Sequence, residues 1–218
     1  MIIAIDGPSG TGKSTVAQRL ARKLNFFYFD TGAMYRCFAY FLLKRQVDAE
    51  DQEGILQALK AFDFDVELLE GEYHYFIEGE DISLSIRQER VSEMASKVAK
   101  HGFVRESLLP IQRAFGLKGH VVMEGRDIGT VIFPQAELKI FLTADLKVRT
   151  ERRLRQLEQK FGATAEYNRV LEEMEKRDRQ DSNRNVAPLK QAEDAVVIDT
   201  THFTIDEVVE AIIKLVKK

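Results

Sequence analysis

A glycine-rich segment near the N-terminus has the composition of a phosphate-binding loop. Residues 7–14, Gly-Pro-Ser-Gly-Thr-Gly-Lys-Ser, match the pattern G-x-x-x-x-G-K-[ST] in full. Glycines let the backbone turn its N–H groups toward an anion, and a following helix adds the positive potential of its N-terminus. In this pattern Lys13 contacts the β- and γ-phosphates, and the Ser14 hydroxyl is a ligand for Mg²⁺. The motif therefore predicts binding of a nucleoside triphosphate.

The residues on either side of this loop predict a strand before it and a helix after it. Ile2–Ile5 is a short β-branched run, typical of a buried strand. Beyond the loop, Val16, Leu20 and Leu24 recur at helical spacing. Because this motif binds phosphate in a strand–loop–helix context, the flanks argue against a chance glycine-rich segment.

Later apolar runs extend the pattern into an α/β fold. A second strand is predicted at 26–29, and three more at 121–123, 138–142 and 195–198, with helical patterns between them. A capping box at 204–207 predicts the start of a terminal helix. The predicted fold class is a P-loop NTPase-type core, with a five-stranded parallel sheet flanked by helices.

A segment between the second and third predicted strands interrupts this alternation. Residues 64–78 alternate apolar and polar side chains around Glu70-Gly-Glu72, which predicts an antiparallel hairpin. Two helices are predicted to follow, with Val91 and Val104 on their apolar faces. We therefore expect the core to carry an inserted subdomain from about residue 36 to 117.

Composition and charge exclude several classes of protein. The chain has 218 residues and a net charge of −3, from 32 Lys and Arg against 35 Asp and Glu. This balance argues against a dedicated nucleic-acid binder, and no apolar run reaches the ~18 residues of a membrane span. The single cysteine, Cys37, and four scattered histidines form no disulfide or metal-ligand pattern. With no signal-peptide pattern, the expected location is the cytoplasm.

Two other classes of nucleotide-binding protein have weak support. A GTPase needs a guanine-reading N-K-x-D segment, which the sequence lacks, and Asp51-Gln-Glu-Gly54 matches D-x-x-G without a strand before it. A motor ATPase needs a strand that ends in acidic residues, for which Val121-Val-Met-Glu124 is a short candidate.

Three polar clusters favour a small-molecule kinase. Asp30–Arg36 follows the second predicted strand, Glu124–Asp127 follows the third, and residues 177–184 contain three arginines. Ligands bind at the carboxyl ends of the strands in open parallel sheets, so this grouping favours a site for an anionic acceptor. The wider segment 147–184 holds eleven Lys and Arg against eight Asp and Glu. It is either a solvated helical surface with ion pairs or a basic element that meets a polyphosphate.

The chain resembles bacterial cytidylate kinases. The resemblance is carried by residues 5–15 (Ile-Asp-Gly-Pro-Ser-Gly-Thr-Gly-Lys-Ser-Thr), 30–36 (Asp-Thr-Gly-Ala-Met-Tyr-Arg), 124–130 (Glu-Gly-Arg-Asp-Ile-Gly-Thr) and 177–184 (Arg-Asp-Arg-Gln-Asp-Ser-Asn-Arg). The last two are far more specific than the P-loop. The resemblance implies an enzyme that phosphorylates CMP or dCMP to the diphosphate with ATP and Mg²⁺.

The same resemblance implies a division of the chain into three parts. Residues 1–35, 118–148 and 185–218 form the P-loop core, 36–117 a nucleoside monophosphate-binding subdomain, and 149–184 a lid with flanking helices. It also implies a cytoplasmic monomer that acts on small molecules, with neither a nucleic-acid nor a membrane partner.

The resemblance assigns roles to individual residues. The implied ATP-binding residues are Gly7, Pro8, Ser9, Gly10, Thr11, Gly12, Lys13, Ser14 and Thr15, with Ser14 as the metal ligand. The implied catalytic residues are Lys13, Arg126, Arg149 and Arg153. The implied CMP-binding residues are Thr31, Arg36, Ser96, Arg105, Arg126, Asp127, Arg177, Asp181 and Arg184.

Recognition of the base by Asp127 has a physical rationale. A carboxylate accepts a hydrogen bond from the exocyclic amino group of cytosine, whereas uracil presents a carbonyl oxygen there and would face the carboxylate with a second acceptor. Arg105 and Ser96 are expected to donate to O2 and N3 of the base. The sequence therefore predicts a preference for CMP over UMP.

Two alternative functions remain at this point. Another monophosphate kinase, or a kinase for shikimate or dephospho-coenzyme A, shares the P-loop but is not expected to carry both the 30–36 and 124–127 segments. A nucleotide-dependent regulator or RNA-binding adaptor is disfavoured by the pI near 5.9 and the missing guanine signature. Acceptor-dependent release of ADP distinguishes the enzymes from the adaptor.

Overall fold

Strands and helices follow one another along the chain in the order that the apolar pattern predicts. The computed structural model describes residues 1–161 and 166–217, without the side chains of residues 160 and 161. The strands are β1 (Ile2–Asp6), β2 (Phe27–Asp30), β3 (Phe64–Leu69), β4 (Glu72–Ile77), β5 (Glu80–Asp81), β6 (Val121–Gly125), β7 (Leu138–Thr143) and β8 (Val196–Asp199). The helices are α1 (Lys13–Leu24), α2 (Thr31–Lys44), α3 (Gln52–Lys60), α4 (Glu89–Val98), α5 (Gly102–Gly116), α6 (Leu146–Phe161), α7 (Tyr167–Asn183) and α8 (Ile205–Val216).

The chain divides into two units. Met1–Phe29 together with Arg113–Lys218 form the first, and Asp30–Gln112 form the second. The second unit covers most of the segment expected as an insertion, and its role in binding a monophosphate stays a prediction. Residues 162–165 of the predicted lid, and Lys218, lie outside the described residues.

Strand β1 lies at the centre of the five-stranded sheet of the first unit. Its three middle residues are completely buried, as expected of a parallel strand that helices cover on both faces. The strand order is β2-β6-β1-β7-β8, and β1 pairs in parallel with both β6 and β7. The carboxyl ends of β6 and β7 therefore flank the loop that leaves β1, which confirms the predicted fold class.

The start of helix α8, in the first unit, is determined by a local sequence signal. The Thr204 hydroxyl accepts from the N–H of Glu207, and the Glu207 carboxylate accepts from the N–H of Thr204 at 2.8 Å, so the predicted capping box is confirmed. Val208, Val209 and Ile212 form its buried face, and α8 packs on α1. Within the described residues, none of the helices combines the length and the apolar character needed to cross a bilayer.

The second unit contains the predicted hairpin and the two predicted helices that follow it. Strands β3 and β4 are antiparallel and joined at Glu70 and Gly71, which have φ values of +51° and +85°, as a tight hairpin turn requires. The two-residue strand β5 adds a third strand to this sheet. Strand β5 is not predicted by the sequence pattern, because Glu80 and Asp81 show no apolar alternation.

Candidate active site

The phosphate-binding loop connects β1 to α1 and lies directly against β7. Gly7 has φ +147°, and a Cβ at this position would overlap the backbone carbonyl of Leu142. Gly10 has φ +78°, and a Cβ there would lie 3.0 Å from the Cβ of Arg149. Both glycines are therefore required by close packing as well as by backbone conformation.

The N-terminus of α1 offers its backbone N–H groups to a ligand. Gly12 is the N-cap residue, in a left-handed conformation with φ +89°. Among the described residues, no side chain caps this helix, and its first turn holds no acidic residue. Uncapped N–H groups and the helix dipole attract an anion, so this end of α1 suits a phosphate group.

Lys13 folds back over the loop and is buried. Its Nζ donates to the carbonyl oxygen of Pro8 at 2.6 Å. Burial, together with the positive charges of Arg126 and Arg177, lowers the pKa of Lys13 to about 7, although two nearby carboxylates partly oppose the change. A polyphosphate bound in the loop would supply the negative charge that favours the protonated lysine.

Arg149, in the first turn of α6, supports the loop from outside. Its Nε donates to the carbonyl oxygen of Ala144 at 3.0 Å, and its Nη1 donates to that of Ser9 at 3.2 Å and to Oδ2 of Asp178 at 2.5 Å. Since Asp178 belongs to α7, the guanidinium joins two helices to the loop. These contacts are those of a residue that shapes the loop, and its catalytic role stays a prediction.

A second link to the loop comes from Thr200, directly after β8. The Thr200 hydroxyl lies 3.1 Å from the carbonyl oxygens of both Thr11 and Thr143, so it donates to one or shares its proton between them. Arg152 of α6 donates to the Thr200 hydroxyl at 3.1 Å and to its carbonyl oxygen at 2.6 Å. The edge strand and α6 are thereby connected to the backbone of the loop.

Asp181, on α7, brings together two arginines of the predicted CMP-binding set. Nε of Arg126 donates to Asp181 at 2.9 Å, and Arg184 forms longer ion pairs, 3.8 Å to Asp181 and 3.7 Å to Asp127. Burial would raise the pKa of Asp181, but the charges of Arg126 and Arg177 outweigh it and lower the pKa. Burial would lower the pKa of Arg126, but the Asp181 carboxylate more than compensates, so this pKa rises. Arg126 and Asp181 are therefore both charged at neutral pH.

The chain after Asp127 forms a π-helical turn at Ile128–Ile132, a feature often found at functional sites. Asp6, the last residue of β1, accepts from the N–H of Ile128 at 2.9 Å and from the N–H of Gly129 at 2.8 Å. Burial raises the pKa of Asp6 to about 6, an effect that these two hydrogen bonds partly oppose. The first strand and the segment around Asp127 are thus joined directly.

In the second unit, Asp30 performs two tasks at the start of α2. Its Oδ1 accepts from the N–H of Ala33 at 2.8 Å, which caps the helix, and its Oδ2 accepts from Nη2 of Arg36 at 3.0 Å. Burial would lower the pKa of Arg36, but the negative charge of Asp30 more than compensates, so the pKa of Arg36 is raised. Thr31 is the buried first residue of the same helix.

The other two predicted CMP-binding residues of the second unit lie on consecutive helices. Arg105 of α5 is buried, with its guanidinium carbon 5.4 Å from the ring centroid of Tyr35, within the range of a cation–π contact. Its Nη1 is 3.5 Å from the carbonyl oxygen of Ala99. Ser96, on α4, is half-buried.

Comparison with known proteins identifies the family. The family model described as cytidylate kinase matches residues 3–218. A cytidylate kinase of Protochlamydia amoebophila is 46% identical over 217 residues, which cover 98% of this chain and 95% of the relative. One of Bacillus subtilis is 44% identical over 216 residues, which cover 99% and 96%. The chain belongs to the cytidylate kinase family. The resemblance stated from the sequence is confirmed.

A solved structure supports the fold. The shikimate kinase of Bacteroides thetaiotaomicron aligns with a TM-score of 0.50 and 14% sequence identity, over 100% of this chain and 99% of that one. At this identity the likeness concerns the fold alone. It agrees with a P-loop kinase core for this cytidylate kinase family member.

The residues predicted from the family resemblance fall into three groups. The loop residues and Arg149 surround the end of β1, and Arg126, Asp127, Asp181 and Arg184 form a contiguous cluster, in which Arg177 takes part electrostatically. Thr31, Arg36, Ser96 and Arg105 belong to the second unit. Arg153 donates to Gln156 of its own helix at 2.9 Å, so the hydrogen bond described for it is local to α6.

Several residues that support this site were not selected from the sequence. One of them, Asp6, carried a usable signal, because a carboxylate at the end of a buried apolar strand must find partners. The others are ordinary surface residue types, whose roles depend on contacts far apart in sequence. The missed residues are Asp6, Asp30, Arg152, Asp178 and Thr200.

The weaker sequence motifs have structural explanations. Asp51 accepts from the N–H of Gly54 at 3.0 Å, so the D-x-x-G match is the N-cap of α3. Glu124, the acidic residue of the short strand candidate, is buried and accepts from the Tyr28 hydroxyl at 2.7 Å. Burial raises the pKa of the Cys37 thiol, which fits a packing role for this residue.

The basic segment 147–184 contains the exposed ion pairs of the first interpretation left open by its composition, and a contact with a polyphosphate stays a prediction. Arg169 pairs with Glu173 at 2.8 Å and Arg179 with Glu175 at 2.6 Å, and both are exposed pairs one helical turn apart. The arginines that meet the loop or Asp181 instead point inward. The exposed ion pairs and the residues that contact the loop or Asp181 therefore lie on different faces of α6 and α7.

Proposed function

We propose that the protein transfers the γ-phosphoryl group of ATP to CMP and to dCMP, giving ADP and the corresponding diphosphate. The family match supports the reaction class, and the charge distribution of the first unit supports the site. The observation that carries the proposal is that Arg149 donates both to the loop carbonyl of Ser9 and to Asp178 of α7, the helix on which Asp181 holds Arg126. The loop that carries Lys13, predicted to bind the donor, and Arg126, predicted to bind the acceptor, are thereby connected in one region, as phosphoryl transfer requires.

The reaction needs alignment and charge neutralisation more than acid–base chemistry. The attacking group is a phosphate oxygen of CMP, which is already deprotonated near pH 7. The chain has to hold two polyanions in line and stabilise the charge on the moving group. Lys13 and the N-terminus of α1 serve the donor, while Arg126 and Arg184 serve the acceptor phosphate.

Carboxylate partners hold these arginines in place for the acceptor phosphate. Arg126 and Arg184 share Asp181, and Arg36 of the second unit is held by Asp30. An acceptor phosphate would exchange these carboxylate contacts for phosphate contacts of similar geometry. Arg177 and Asp181 are proposed to contact the sugar.

Selection for cytosine is assigned to Asp127, with Ser96 and Arg105 as donors to the base. Asp127 is buried, and its Oδ1 lies 3.7 Å from Nη2 of Arg184. A charged carboxylate accepts from the amino group of cytosine and repels the carbonyl oxygen of uracil. Because CMP and dCMP carry the same base, both are proposed as acceptors.

Magnesium fits the donor side of the site. Ser14 is exposed in the first turn of α1, next to the uncapped helix N-terminus, and its hydroxyl is an oxygen ligand. Mg²⁺ prefers oxygen ligands, retains water and is often completed by substrate phosphates. When bound, the ion would neutralise charge on the phosphates of ATP.

We further propose that the protein acts as a cytoplasmic monomer on small molecules. The family resemblance implies a monomer, and the net charge of −3 offers little attraction for nucleic acid. Sedimentation velocity of the purified protein tests the monomer, and fractionation of cells tests the location.

An acceptor panel tests the activity. ADP release is measured with ATP and Mg²⁺ in the presence of CMP, dCMP, UMP, AMP, GMP or shikimate. We expect release with CMP and dCMP, much slower release with UMP, and background release without an acceptor. Brisk activity on shikimate or a purine nucleotide, with none on CMP, would contradict the proposal.

A P-loop variant provides the control for this panel. Lys13→Ala removes the cation at the phosphates and is expected to abolish most transfer, while circular dichroism shows a folded protein. Lys23→Ala, which removes a lysine from the exposed end of the same helix, is the matched control and is expected to retain turnover. Near-normal transfer by Lys13→Ala would exclude the proposed mechanism.

A further inference from the structure

We propose that Asp6 is a positioning residue for recognition of the acceptor base, because it caps the turn after Asp127 and thereby leaves the Asp127 side chain directed to the nucleotide. The inference rests on the proposed function, in which Asp127 reads cytosine. It adds a residue outside the predicted binding set and assigns it a role in specificity.

The geometry of the turn shows which side chain caps it. Asp127 precedes the turn and occupies its N-cap position, but within the described residues its own side chain makes no cap hydrogen bond there. The first two N–H groups of the turn, those of Ile128 and Gly129, are accepted instead by the two carboxylate oxygens of Asp6, at 2.9 and 2.8 Å. The residue that caps the turn therefore belongs to β1, a separate element of the fold.

Two other aspartates of this chain show the usual arrangement. Asp30 and Asp51 also stand at N-cap positions, and each accepts from an N–H in the first turn of its own helix, at 2.8 and 3.0 Å respectively. An Asp at an N-cap normally uses its carboxylate in this way. Asp127 differs because Asp6 has taken over that task.

The side chain of Asp127 is consequently directed to groups other than the N–H groups of the turn that follows it. Its Oδ1 lies 3.7 Å from Nη2 of Arg184, a distance at which the two charges attract without a direct hydrogen bond. If Asp127 capped the turn itself, its carboxylate would have to accept from the N–H groups that Asp6 now holds. The cap by Asp6 thus determines which way Asp127 is directed.

Both carboxylate oxygens of Asp6 are needed for this function. Asp6 is only 5% exposed, and burial raises its pKa to about 6, so the protein keeps an acid where its charge is disfavoured. Asparagine has the same shape but only one acceptor oxygen, and its NH₂ group would face one of the two N–H donors. A backbone N–H left without an acceptor in a buried site destabilises the turn.

Steady-state kinetics of Asp6→Asn test the proposal. We expect kcat/KM for CMP relative to UMP to fall at least fivefold, mainly through a higher KM for CMP, while the dissociation constant of ATP measured without acceptor changes less than twofold. The ATP measurement matters because Asp6 adjoins the loop and its charge acts on Lys13. Equal losses for ATP and CMP would reveal a general structural role and overturn the proposal.

A double-mutant cycle separates Asp6 from Asp127. If Asp6 acts through Asp127, adding Asp6→Asn to Asp127→Asn should lower the CMP preference less than twofold further. Additive losses would show that Asp6 acts by another route. An unchanged preference in Asp6→Asn alone would also overturn the inference.

A second variant keeps the test possible if the first one misfolds. Asp6→Ser is smaller and keeps one uncharged acceptor, so it carries the same kinetic test if Asp6→Asn does not fold. If neither variant folds, Asp6 is a stability residue and the proposal fails. Failure of the wild-type protein to phosphorylate CMP would instead contradict the proposed function, which makes the two failures distinguishable.

Discussion

Lys13 is a buried lysine whose charge depends on what the loop holds. Without a nucleotide, its Nζ donates to one backbone carbonyl, and burial together with Arg126 and Arg177 lowers its pKa to about 7. A triphosphate reverses this balance because it brings several negative charges to the ammonium group. Binding of ATP should therefore be linked to uptake of a proton.

This linkage gives a prediction with a definite sign. Because the pKa of Lys13 is about 7, binding of ATP should take up more proton at pH 8 than at pH 6. ATP affinity should fall as the pH rises above 7. Calorimetry of ATP binding in two buffers with different ionisation enthalpies measures the uptake.

The Lys13→Met variant is the control for this experiment, because methionine fills similar space without a titratable group. We expect weaker ATP binding and a smaller difference in proton uptake between pH 6 and pH 8 than in the wild-type protein. Proton uptake at pH 8 that survives in Lys13→Met would assign the linkage to another group.

Asp127 gives a prediction about specificity. Asp127→Asn replaces an acceptor by a side chain that also donates, so the repulsion of uracil O4 is lost. A well-formed base contact contributes about 1–3 kcal/mol to discrimination, so the CMP preference over UMP should fall by about 5-fold to 150-fold. Competition kinetics with both acceptors measures the ratio.

An exposed carboxylate serves as the matched control for this variant. Asp206, on α8, pairs with Arg19 at the surface of the first unit. Asp206→Asn should leave the CMP preference unchanged. If Asp127→Asn also leaves it unchanged, Asp127 does not read the base.

Helix α8 shows a secondary-structure element whose start is encoded locally. The reciprocal hydrogen bonds between Thr204 and Glu207 satisfy two N–H groups that would otherwise lack intrahelical acceptors. The buried face of α8 then packs on α1, the helix that begins at the phosphate-binding loop. The cap thus contributes to the support of α1.

Removal of this cap should lower stability by a modest amount. Thr204→Ala is expected to reduce the free energy of unfolding by about 1 kcal/mol, because the cap hydroxyl is lost. Thr204→Ser keeps the hydroxyl and should stay close to wild type. Urea unfolding followed by circular dichroism measures both, and equal stabilities for the Ala and Ser variants would contradict a capping role.

The whole molecule should respond to its ligands through stability. A ligand that binds only the folded protein stabilises it by about 2.7 kcal/mol at 100 times its dissociation constant. For a chain of 218 residues, each kcal/mol raises Tm by about 2–4 °C, so ATP or CMP should each raise it by roughly 5–10 °C.

Differential scanning calorimetry with a non-hydrolysable ATP analogue, with CMP and with UMP tests this prediction. We expect a smaller shift with UMP than with CMP at equal concentration. In Lys13→Ala the shift from the ATP analogue should largely disappear while the shift from CMP remains. Loss of both shifts would indicate that the variant is damaged more widely than the proposed role of Lys13 allows.

Much of this protein was predictable from short stretches of sequence. Apolar runs predicted the buried strands, because a strand covered on both faces has few alternatives to β-branched and aliphatic residues. The glycines of the loop, the hairpin turn at 70–71 and the capping box at 204–207 are local signals, since each depends on the conformation of a few consecutive residues. The family resemblance added the candidate site residues.

Tertiary structure alone decided how distant side chains are used. Asp6 meets Ile128 and Gly129 more than a hundred residues away, and Thr200 meets Thr11 at a similar separation. No local spacing encodes such pairs, because they arise only when parallel strands are placed side by side in the sheet. The sequence determined that a phosphate loop lies at a strand end, and the fold decided which carboxylates and hydroxyls hold it and the turn beside it.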